Sequence, residues 1–494
     1  MNIRMEDSVD SDEKREAKTV VAKAPASVSI SDCDDLAMLT LEKRVLRKTD
    51  MVVLPMMCCV FFFQYLDKQS LSYASVYGLI QDLELKGNQF AWTSSIFYVG
   101  QLASEFPFIY LMSRFKLSKS VGITIVVWGA VCTCLAAPKT YHGFLAVRFF
   151  LGAAEGAVSP AFITITSIWY RKSEHALRVG CWITCNAIAQ IVGSLLMYGI
   201  GEHNTSSFAS WRLMFLICGI FTILCGVAFY FIMPDGPESA WFFSEEEKIA
   251  ARHRLSEDHD GGDKTSFSME QLKEAALDFK TYAAFSFGVL VTAPAPVLTA
   301  STFSHVLGYT SGETLLHGCP SGAVQICAIW IGIIATFIWP QRRSLIIMFL
   351  VAIPLAGCIM LLVLPLKGWP IIIGAWLGSC ISSIFSLTMS LNASNIRGNT
   401  KRSVVNTAYF IGYCSGCIAF PQLWTTETAP RYTAGLVVSV VDWAILILLM
   451  GCYWLHGWSE NKRRDQLESE STVALFEAGA DITDKQDLTF RYSL

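Results

Sequence analysis

Residues Phe144–Trp169 read FLAVRFFLGAAEGAVSPAFITITSIW. The stretch is long enough to cross a bilayer, and every side chain except those of Arg148 and Glu155 is apolar or small. An ionised side chain at the centre of a membrane helix costs about 3 kcal/mol on insertion scales, so two on one helix imply partners or a water-filled cavity. The stretch therefore predicts a membrane-spanning helix that carries a functional site.

The composition of the 494-residue chain excludes an ordinary soluble protein, because 53% of its residues are hydrophobic and only 16% are charged. The formal net charge of -3 gives no indication of nucleic-acid binding. The sequence contains no phosphate-binding loop, metal-ligand cluster or nucleophile motif, and most of its 16 cysteines lie in apolar runs, where they act as small hydrophobes. We expect an integral membrane protein that is not an enzyme and uses no cofactor or metal ion.

The hydrophobic pattern predicts twelve membrane-spanning helices in two groups of six. The predicted spans are about 51–78, 90–112, 120–137, 142–168, 177–200, 211–233, 281–303, 314–338, 344–365, 369–391, 403–424 and 432–456. This pattern is typical of an all-α membrane protein with two six-helix bundles, residues 51–233 and 281–456. A polar loop, residues 234–280, joins the bundles, and polar tails, residues 1–50 and 457–494, flank them.

Lysine and arginine are concentrated in alternate loops, for example in residues 114–119, 171–178 and 397–402. The loops between them hold few basic residues. Because cytoplasmic loops carry the lysine and arginine excess of membrane proteins, both termini are expected in the cytoplasm.

One of the predicted outer loops contains the triplet Asn204-Thr205-Ser206, which is an acceptor sequence for N-glycosylation. Such triplets also arise by chance. Asn204 is therefore a candidate glycosylation site on the outer side.

Several local motifs resemble one family of transporters. The motifs are YLDKQSLSYASVYG (65–78), SEFPFIYL (104–111), RFFLGAAEGAVSP (148–160), WYRKSEHALR (169–178), LLMYGIG (195–201), SNIRGNTKRS (394–403), APRYTAGL (429–436) and DITDKQDLTFRYSL (481–494). With these motifs the chain is identified as a member of the anion:cation symporter family of the major facilitator superfamily, and it is most similar to fungal allantoate permease relatives.

The resemblance implies a transporter that moves a small organic anion together with protons. It also implies a location in the plasma membrane, and we expect a monomer whose partners are the substrate, protons and lipid. The loop SRFKLSKS (113–120) lacks the glycine and acidic positions of the general superfamily motif, as is usual in this family. Lys68 stands where many relatives carry arginine, so a carboxylate would meet a point charge rather than a bidentate fork.

The charged residues at membrane depth suggest how the site is built. Residues seven apart on a helix lie on nearly one face but are about 10 Å apart along its axis, so Arg148 and Glu155 cannot pair with each other. In related transporters the first and fourth spans line the central cavity. The resemblance therefore favours pairing of Asp67 with Arg148 and of Glu155 with Lys68. In the alternative interpretation, these charges only brace the helices.

From these pairs we derive a hypothesis for transport. Arg148 and Lys68 attract the carboxylate of the substrate, while Asp67 and Glu155 release the two cations by accepting protons. Further candidates for substrate contact are Tyr65, Tyr98 and Asn186, for which helix packing or an interhelical hydrogen bond is at least as good an explanation. The roles of Glu105 and His317 stay open at this point.

The sequence leaves the substrate and the direction of transport undetermined. Allantoate, a vitamin-like carboxylate or a small peptide would each suit a site with two cations and two carboxylates. An exporter of a drug or secondary metabolite would use the same fold in the opposite direction. A nutrient sensor is less favoured, because the polar tails contain no recognisable signalling domain.

Overall fold

A computed structural model describes residues 30–156, 158–205, 207–256, 267–292, 308–365, 368–424, 431–470 and 482–494. Within these ranges the chain is helical and contains no strand, which confirms the prediction of an all-α protein. Nine segments of the described ranges are long and apolar enough to cross a membrane.

The first half of the chain consists of eight helices in the described residues. They are α1 (Ile30–Val76), α2 (Leu79–Asp82), α3 (Gln89–Arg114), α4 (Leu117–Cys134), α5 (Tyr141–Glu155), α6 (Val158–Trp169), α7 (Lys172–His203) and α8 (Ser210–Ile232). Helix α1 begins 21 residues before the predicted first span, so the polar residues 30–50 extend the membrane helix. The predicted fourth span is two helices, because α5 ends at Glu155.

The second half repeats this arrangement. Its helices are α11 (Phe279–Thr292), α12 (Ser311–Ile338), α13 (Arg343–Val363), α14 (Trp369–Gly378), α15 (Ser382–Asn395), α16 (Asn399–Ala419) and α17 (Thr433–Glu470). The predicted tenth span is again two helices, α14 and α15, and the end of the predicted seventh span lies outside the described residues.

The polar loop between the halves contains two helices, and each packs on a different half. Helix α9 (Glu245–Ser256) is held on the first half by ion pairs of Arg254 with Glu174 and of Lys48 with Glu247. Helix α10 (Met269–Ala276) lies on the second half, where Glu274 pairs with Lys401 at 2.7 Å. Residues 257–266, which join the two helices, lie outside the described residues.

The two ends of the helix bundle differ in charge. We call the end with the loops at 115–116, 170–171, 339–342 and 396–398 the basic face, because these loops carry lysine and arginine, and we call the other end the opposite face. Hydrogen bonds join the two halves at the opposite face. Ser95 Oγ donates to the carbonyl of Ile418 at 2.8 Å and accepts from Gln422 Nε2 at 3.0 Å.

Glycine allows α3 and α5 to approach closely beside the predicted site. A Cβ atom at Gly152 would overlap the backbone carbonyl of Phe97, and a Cβ at Gly100 would overlap the carbonyl of Phe149. The Gly152-xxx-Gly156 pattern therefore serves close helix packing. The close approach brings residues 97 and 98 of α3 next to the end of α5, where Glu155 lies.

Candidate functional site

The strongest feature at the predicted site is an ion pair between α1 and α5. Lys68 Nζ lies 2.9 Å from Glu155 Oε1, as the sequence predicts. The Glu155 side chain is 0% exposed, whereas the Lys68 side chain is 23% exposed. The ammonium group also lies 5.8 Å from the ring centroid of Phe97 on α3. A fully buried carboxylate is thus paired with a cation that still reaches open space.

The second predicted pair is wrong, because Asp67 and Arg148 are not within ion-pair distance. Asp67 is buried and accepts a hydrogen bond from Thr222 Oγ1 of α8 at 3.1 Å, and its Oδ1 atom has no hydrogen-bond partner. The reason is geometric. Adjacent residues on α1 differ by about 1.5 Å in height and about 100° in direction, whereas Arg148 and Glu155 are about 10 Å apart in height, so both pairs cannot form together.

Arg148 is buried without a counter-ion at contact distance among the described residues. Its guanidinium carbon lies 5.9 Å from the ring centroid of Phe144 and 6.0 Å from that of Phe215. Nε and Nη2 have no hydrogen-bond partner. Buried guanidinium N–H groups without acceptors are costly, so the site holds donors that an anionic group can satisfy.

Aromatic and amide side chains surround the ion pair. Tyr98, a predicted contact, stacks edge-on against Tyr413 of α16 with ring centroids 5.9 Å apart, so this tyrosine lies where the two halves meet. Tyr65, also predicted, accepts a hydrogen bond from Gln69 Nε2 at 2.9 Å one turn along α1. Both tyrosines are half-buried. Tyr65 lies close enough to Lys68, and Tyr98 close enough to Glu155, to interact with them electrostatically.

The remaining predicted residues differ in their positions. Asn186 of α7 is half-buried, and its Oδ1 atom has no partner, so it stays a candidate for substrate contact. Glu105 is buried on α3 two turns from Tyr98 toward the basic face. His317 lies near the opposite face in an aromatic cluster, with its ring 4.7 Å from that of Tyr309, and this position separates it from the ion pair.

Asn204 lies at the end of α7, at the opposite face. Its Nδ2 atom donates to the carbonyl of Phe208 at 2.8 Å and to Ser210 Oγ at 3.1 Å. The side chain thus holds the loop that leads into α8, and a glycan on this nitrogen would replace these contacts. Glycosylation at Asn204 stays a prediction.

Three residues of the site were not predicted from the sequence. Thr222 holds Asp67, Phe97 contacts Lys68, and Gln64 lies beside the Glu155 carboxylate. Gln64 precedes Lys68 by four residues, so helical spacing on α1 could have indicated it. Thr222 and Phe97 gave no such signal, because each lies in an apolar run of another helix.

The chain was also compared with known proteins. Residues 57–421 match the family model of the Major Facilitator Superfamily. An uncharacterized transporter from Schizosaccharomyces pombe is 35% identical over 92% of this chain and 90% of its own length. An allantoate permease from Saccharomyces cerevisiae is 32% identical over 92% and 87%, and a thiamine pathway transporter of the same yeast is 33% identical over 92% and 86%.

Solved structures are similar in fold. A bacterial homolog of the human lysosomal transporter Spinster has a TM-score of 0.58 at 13% identity and covers 84% of this chain and 96% of its own. A D-xylose-proton symporter also has a TM-score of 0.58, at 11% identity, with 81% and 96% covered. These likenesses support the predicted arrangement of two helical halves.

Proposed function

The chain belongs to the major facilitator superfamily of membrane transporters, within its fungal allantoate permease-like branch, and we propose that it imports a small organic anion together with protons. The proposed substrate class is that of allantoate, vitamin-like carboxylates and small peptides, and the proposed location is the plasma membrane. Transport proceeds by alternating exposure of the space between the two halves.

The observation that carries this proposal is the unequal exposure of the ion pair. Lys68 is 23% exposed and Glu155 is fully buried, with 2.9 Å between their charged atoms. A substrate carboxylate that enters the space between the halves can therefore reach Lys68 without displacing Glu155 from its place. It competes with Glu155 for the ammonium group.

This competition couples substrate to protons. Once the substrate takes Lys68, the Glu155 carboxylate is buried without its cation, and a buried group in that condition is stabilised by taking up a proton. One anion and one proton then enter together, and the net charge of Asp67, Lys68, Arg148 and Glu155 with the bound substrate stays zero. Release of the proton on the other side restores the ion pair and expels the anion.

Arg148 supplies the second attraction for the anion. Arg148 and Glu155 are about 10 Å apart along the axis of α5, and the Nε and Nη2 donors of Arg148 have no hydrogen-bond partner among the described residues, so they can receive a second polar group of the substrate. The negative charge of Asp67 partly balances the positive charge of Arg148, although the two groups are not in contact. The Asp67 carboxylate accepts its hydrogen bond from Thr222. The name of the allantoate permease relative supports an organic anion as the substrate.

Uptake of labelled anions tests the proposal. Cells that express the wild type, Glu155→Gln, Lys68→Met or the exposed control Glu245→Gln receive allantoate, nicotinate or a dipeptide at external pH 5 and pH 7.5. Cells with an empty vector correct for passive entry, and a fluorescent tag gives the amount of each variant at the membrane. We expect stronger uptake at pH 5 in the wild type and the control.

The two site variants separate coupling from binding. Glu155→Gln mimics the protonated carboxylate, so we expect it to exchange labelled for unlabelled anion across the membrane but to lose the stimulation by acid. Lys68→Met should lose both uptake and exchange. A wild type that accumulates none of the anions, or a Glu155→Gln variant with normal acid stimulation, would refute proton-coupled anion import at this site.

A further inference from the structure

Residues 482–494 fold back onto the basic face of the second half. Thr483, Asp484, Asp487 and Tyr492 of this segment are buried there. The preceding helix, α17, ends at Glu470 on the same face. The contacts of the segment fall into three groups, each with a different chemistry.

The first group is a buried cluster of charges. Lys280 of α11 and Lys401 of α16 both form ion pairs with Asp484, and the distance from Lys401 Nζ to Asp484 Oδ1 is 2.8 Å. Tyr492 closes the cluster. Its hydroxyl donates to Asp484 Oδ2 at 2.8 Å and accepts from Lys280 Nζ at 3.0 Å.

The second group recognises the backbone of the segment. The guanidinium of Arg464, buried on α17, donates to the carbonyl oxygens of Asp484, Asp487 and Phe490 at 2.8 to 3.0 Å. It also donates to the hydroxyl of Tyr492 at 3.0 Å. Three backbone carbonyls of the segment can reach one guanidinium only if the segment folds into a turn. Arg464 therefore recognises the conformation of the segment as well as its polar groups.

The third group pairs the end of the segment with two helix ends. Asn395 of α15 donates to the carbonyl of Ser493 at 3.0 Å and accepts from its backbone N–H at 2.7 Å. Leu494 donates to the carbonyl of Gln341 at 2.8 Å, and its own carbonyl accepts from the N–H of Ser344 at 3.1 Å. These backbone bonds fix the end of the segment to the loop before α13 and to the first turn of that helix.

Two of the cations that receive the segment keep few partners without it. Without residues 482–494, Arg464 would retain its ion pair with Glu460, and Lys280 would retain Asp278 at 3.7 Å. Lys401, in contrast, would keep both Glu274 and Asp278. Arg464 and Lys280 are buried, and buried N–H donors that lose their acceptors are destabilising. In the first half, helix α9 closes the basic face instead, through Lys48–Glu247 and Arg254–Glu174.

We propose that residues 482–494 are an intramolecular peptide ligand, bound in a site of the second half that is formed by Lys280, Lys401, Arg464 and Asn395. We call this site the tail pocket. Its ligand class is a peptide that presents an aspartate and a tyrosine in a turn, as Asp484 and Tyr492 do here. Occupancy of the pocket joins the ends of α11, α15, α16 and α17, so that the second half moves as one body during transport. The inference concerns a different site from the one proposed for the substrate.

Cutting the covalent connection tests whether the segment is a ligand. A protease site inserted within residues 471–481 of the full chain is cleaved after purification in detergent, and the intact mass of the peptide is followed through size exclusion. We expect the peptide from the otherwise wild-type chain to stay with the protein. Asp484→Asn should release it, whereas Lys485→Gln should retain it, because the Lys485 side chain is 47% exposed and its 3.5 Å ion pair with Asp278 is therefore weak.

A stability measurement on the uncut chains gives the second readout. Asp484→Asn should lower the midpoint of thermal unfolding by about 5 to 10 °C, and Lys485→Gln should leave it unchanged within about 1 °C. If Asp484→Asn does not fold, the proposal can still be tested by exchanging the cut peptide of the wild type for an added peptide. An isotope-labelled peptide of residues 482–494 should then replace the cut peptide of the wild type, and a peptide with asparagine at position 484 should not.

Two results would overturn the proposal. One is that the cut peptide leaves the wild type during size exclusion. The other is that both peptides exchange equally well. Neither readout depends on the identity of the transported substrate, so failure here is distinct from failure of the proposed anion uptake.

Discussion

Replacing Lys68 by methionine should destabilise the protein more than replacing Glu155 by glutamine, although both changes break the same ion pair. The reason is that the two side chains differ in exposure, 23% for Lys68 and 0% for Glu155. An ammonium group that loses its carboxylate can be hydrated from the space between the halves. A fully buried carboxylate that loses its ammonium group cannot be hydrated in this way and must either stay unpaired or take up a proton, and both cost free energy.

The distance between the charges sets the scale of the effect. Two unit charges 2.9 Å apart attract by about 6 kcal/mol at an effective dielectric constant of about 20, before desolvation is subtracted. Removing the cation from the buried carboxylate should lower the free energy of unfolding by about 3 kcal/mol. Removing the carboxylate from Lys68, which is partly exposed, should lower the free energy of unfolding by about 1 kcal/mol. The double variant leaves no charge unpaired and should also cost about 1 kcal/mol, so the coupling energy is about 3 kcal/mol.

Thermal unfolding of the purified protein in detergent measures the cycle. A change of 1 kcal/mol shifts the midpoint by about 2 to 4 °C in a unit of this size, so Lys68→Met should lower it by about 6 to 12 °C. Glu155→Gln and the double variant should each lower it by about 2 to 4 °C. The exposed variant Glu245→Gln serves as the control for the substitution itself. Equal losses for the two single variants, or a coupling energy below about 0.5 kcal/mol, would refute the reasoning.

Three further predictions concern packing, closure and pH. Gly152→Ala should sharply reduce the amount of monodisperse protein in fluorescence-detected size exclusion, because its Cβ would overlap the backbone carbonyl of Phe97, which cannot move aside. Gln422→Leu removes hydrogen bonds between the halves worth about 1 kcal/mol, so labelling of Cys319 by an impermeant maleimide at the opposite face should rise about fivefold by mass spectrometry. Burial opposes ionisation of Asp484, but its two lysine partners lower its pKa from 3.8 to about 2, so the stability that it contributes is present above pH 4 and is lost only as the pH falls toward 2. Hydrogen exchange of residues 482–494, corrected for intrinsic rates, should therefore show protection from pH 7 down to about pH 4.

Each of these predictions has a control or a contradicting result. Gly199→Ala should be tolerated, because nothing lies within 4 Å of a Cβ atom there, and equal behaviour of the two glycine variants would contradict the packing argument. Gln81→Leu changes an exposed glutamine near the same face and should leave the labelling of Cys319 unchanged. Loss of protection in residues 482–494 between pH 7 and pH 5 would show that Asp484 does not hold the segment.

The family and the membrane class could be predicted from the sequence, and the comparisons confirm both. Hydrophobic runs of bilayer length are a local property, and the quoted motifs are contiguous, so neither depends on the tertiary fold. The ion pair of Lys68 with Glu155 was also predicted. The division of the tenth span into α14 and α15 was not, because hydropathy measures apolar length and does not detect the turn at residues 379–381.

The sequence by itself determined which charges lie at membrane depth, and only the tertiary structure decided which of them meet. Helical periodicity gives the direction of a side chain on its own helix, but the depth and rotation of the neighbouring helix depend on packing. The close contact of Gly152 with the backbone of Phe97 sets that depth beside Glu155. In the same way, the packing of α1 against α8 brings Asp67 to Thr222 rather than to Arg148 of α5.

The polar segment 482–494 shows the same division most clearly. Its sequence resembles the corresponding segment of related proteins, but its local pattern does not indicate which residues it contacts. Lys280, Lys401 and Arg464 are 20 to 212 residues away along the chain from the groups that they bind in the segment. Because such contacts form only when the helix ends have come together, the fold alone could show that these buried cations belong to the tail pocket.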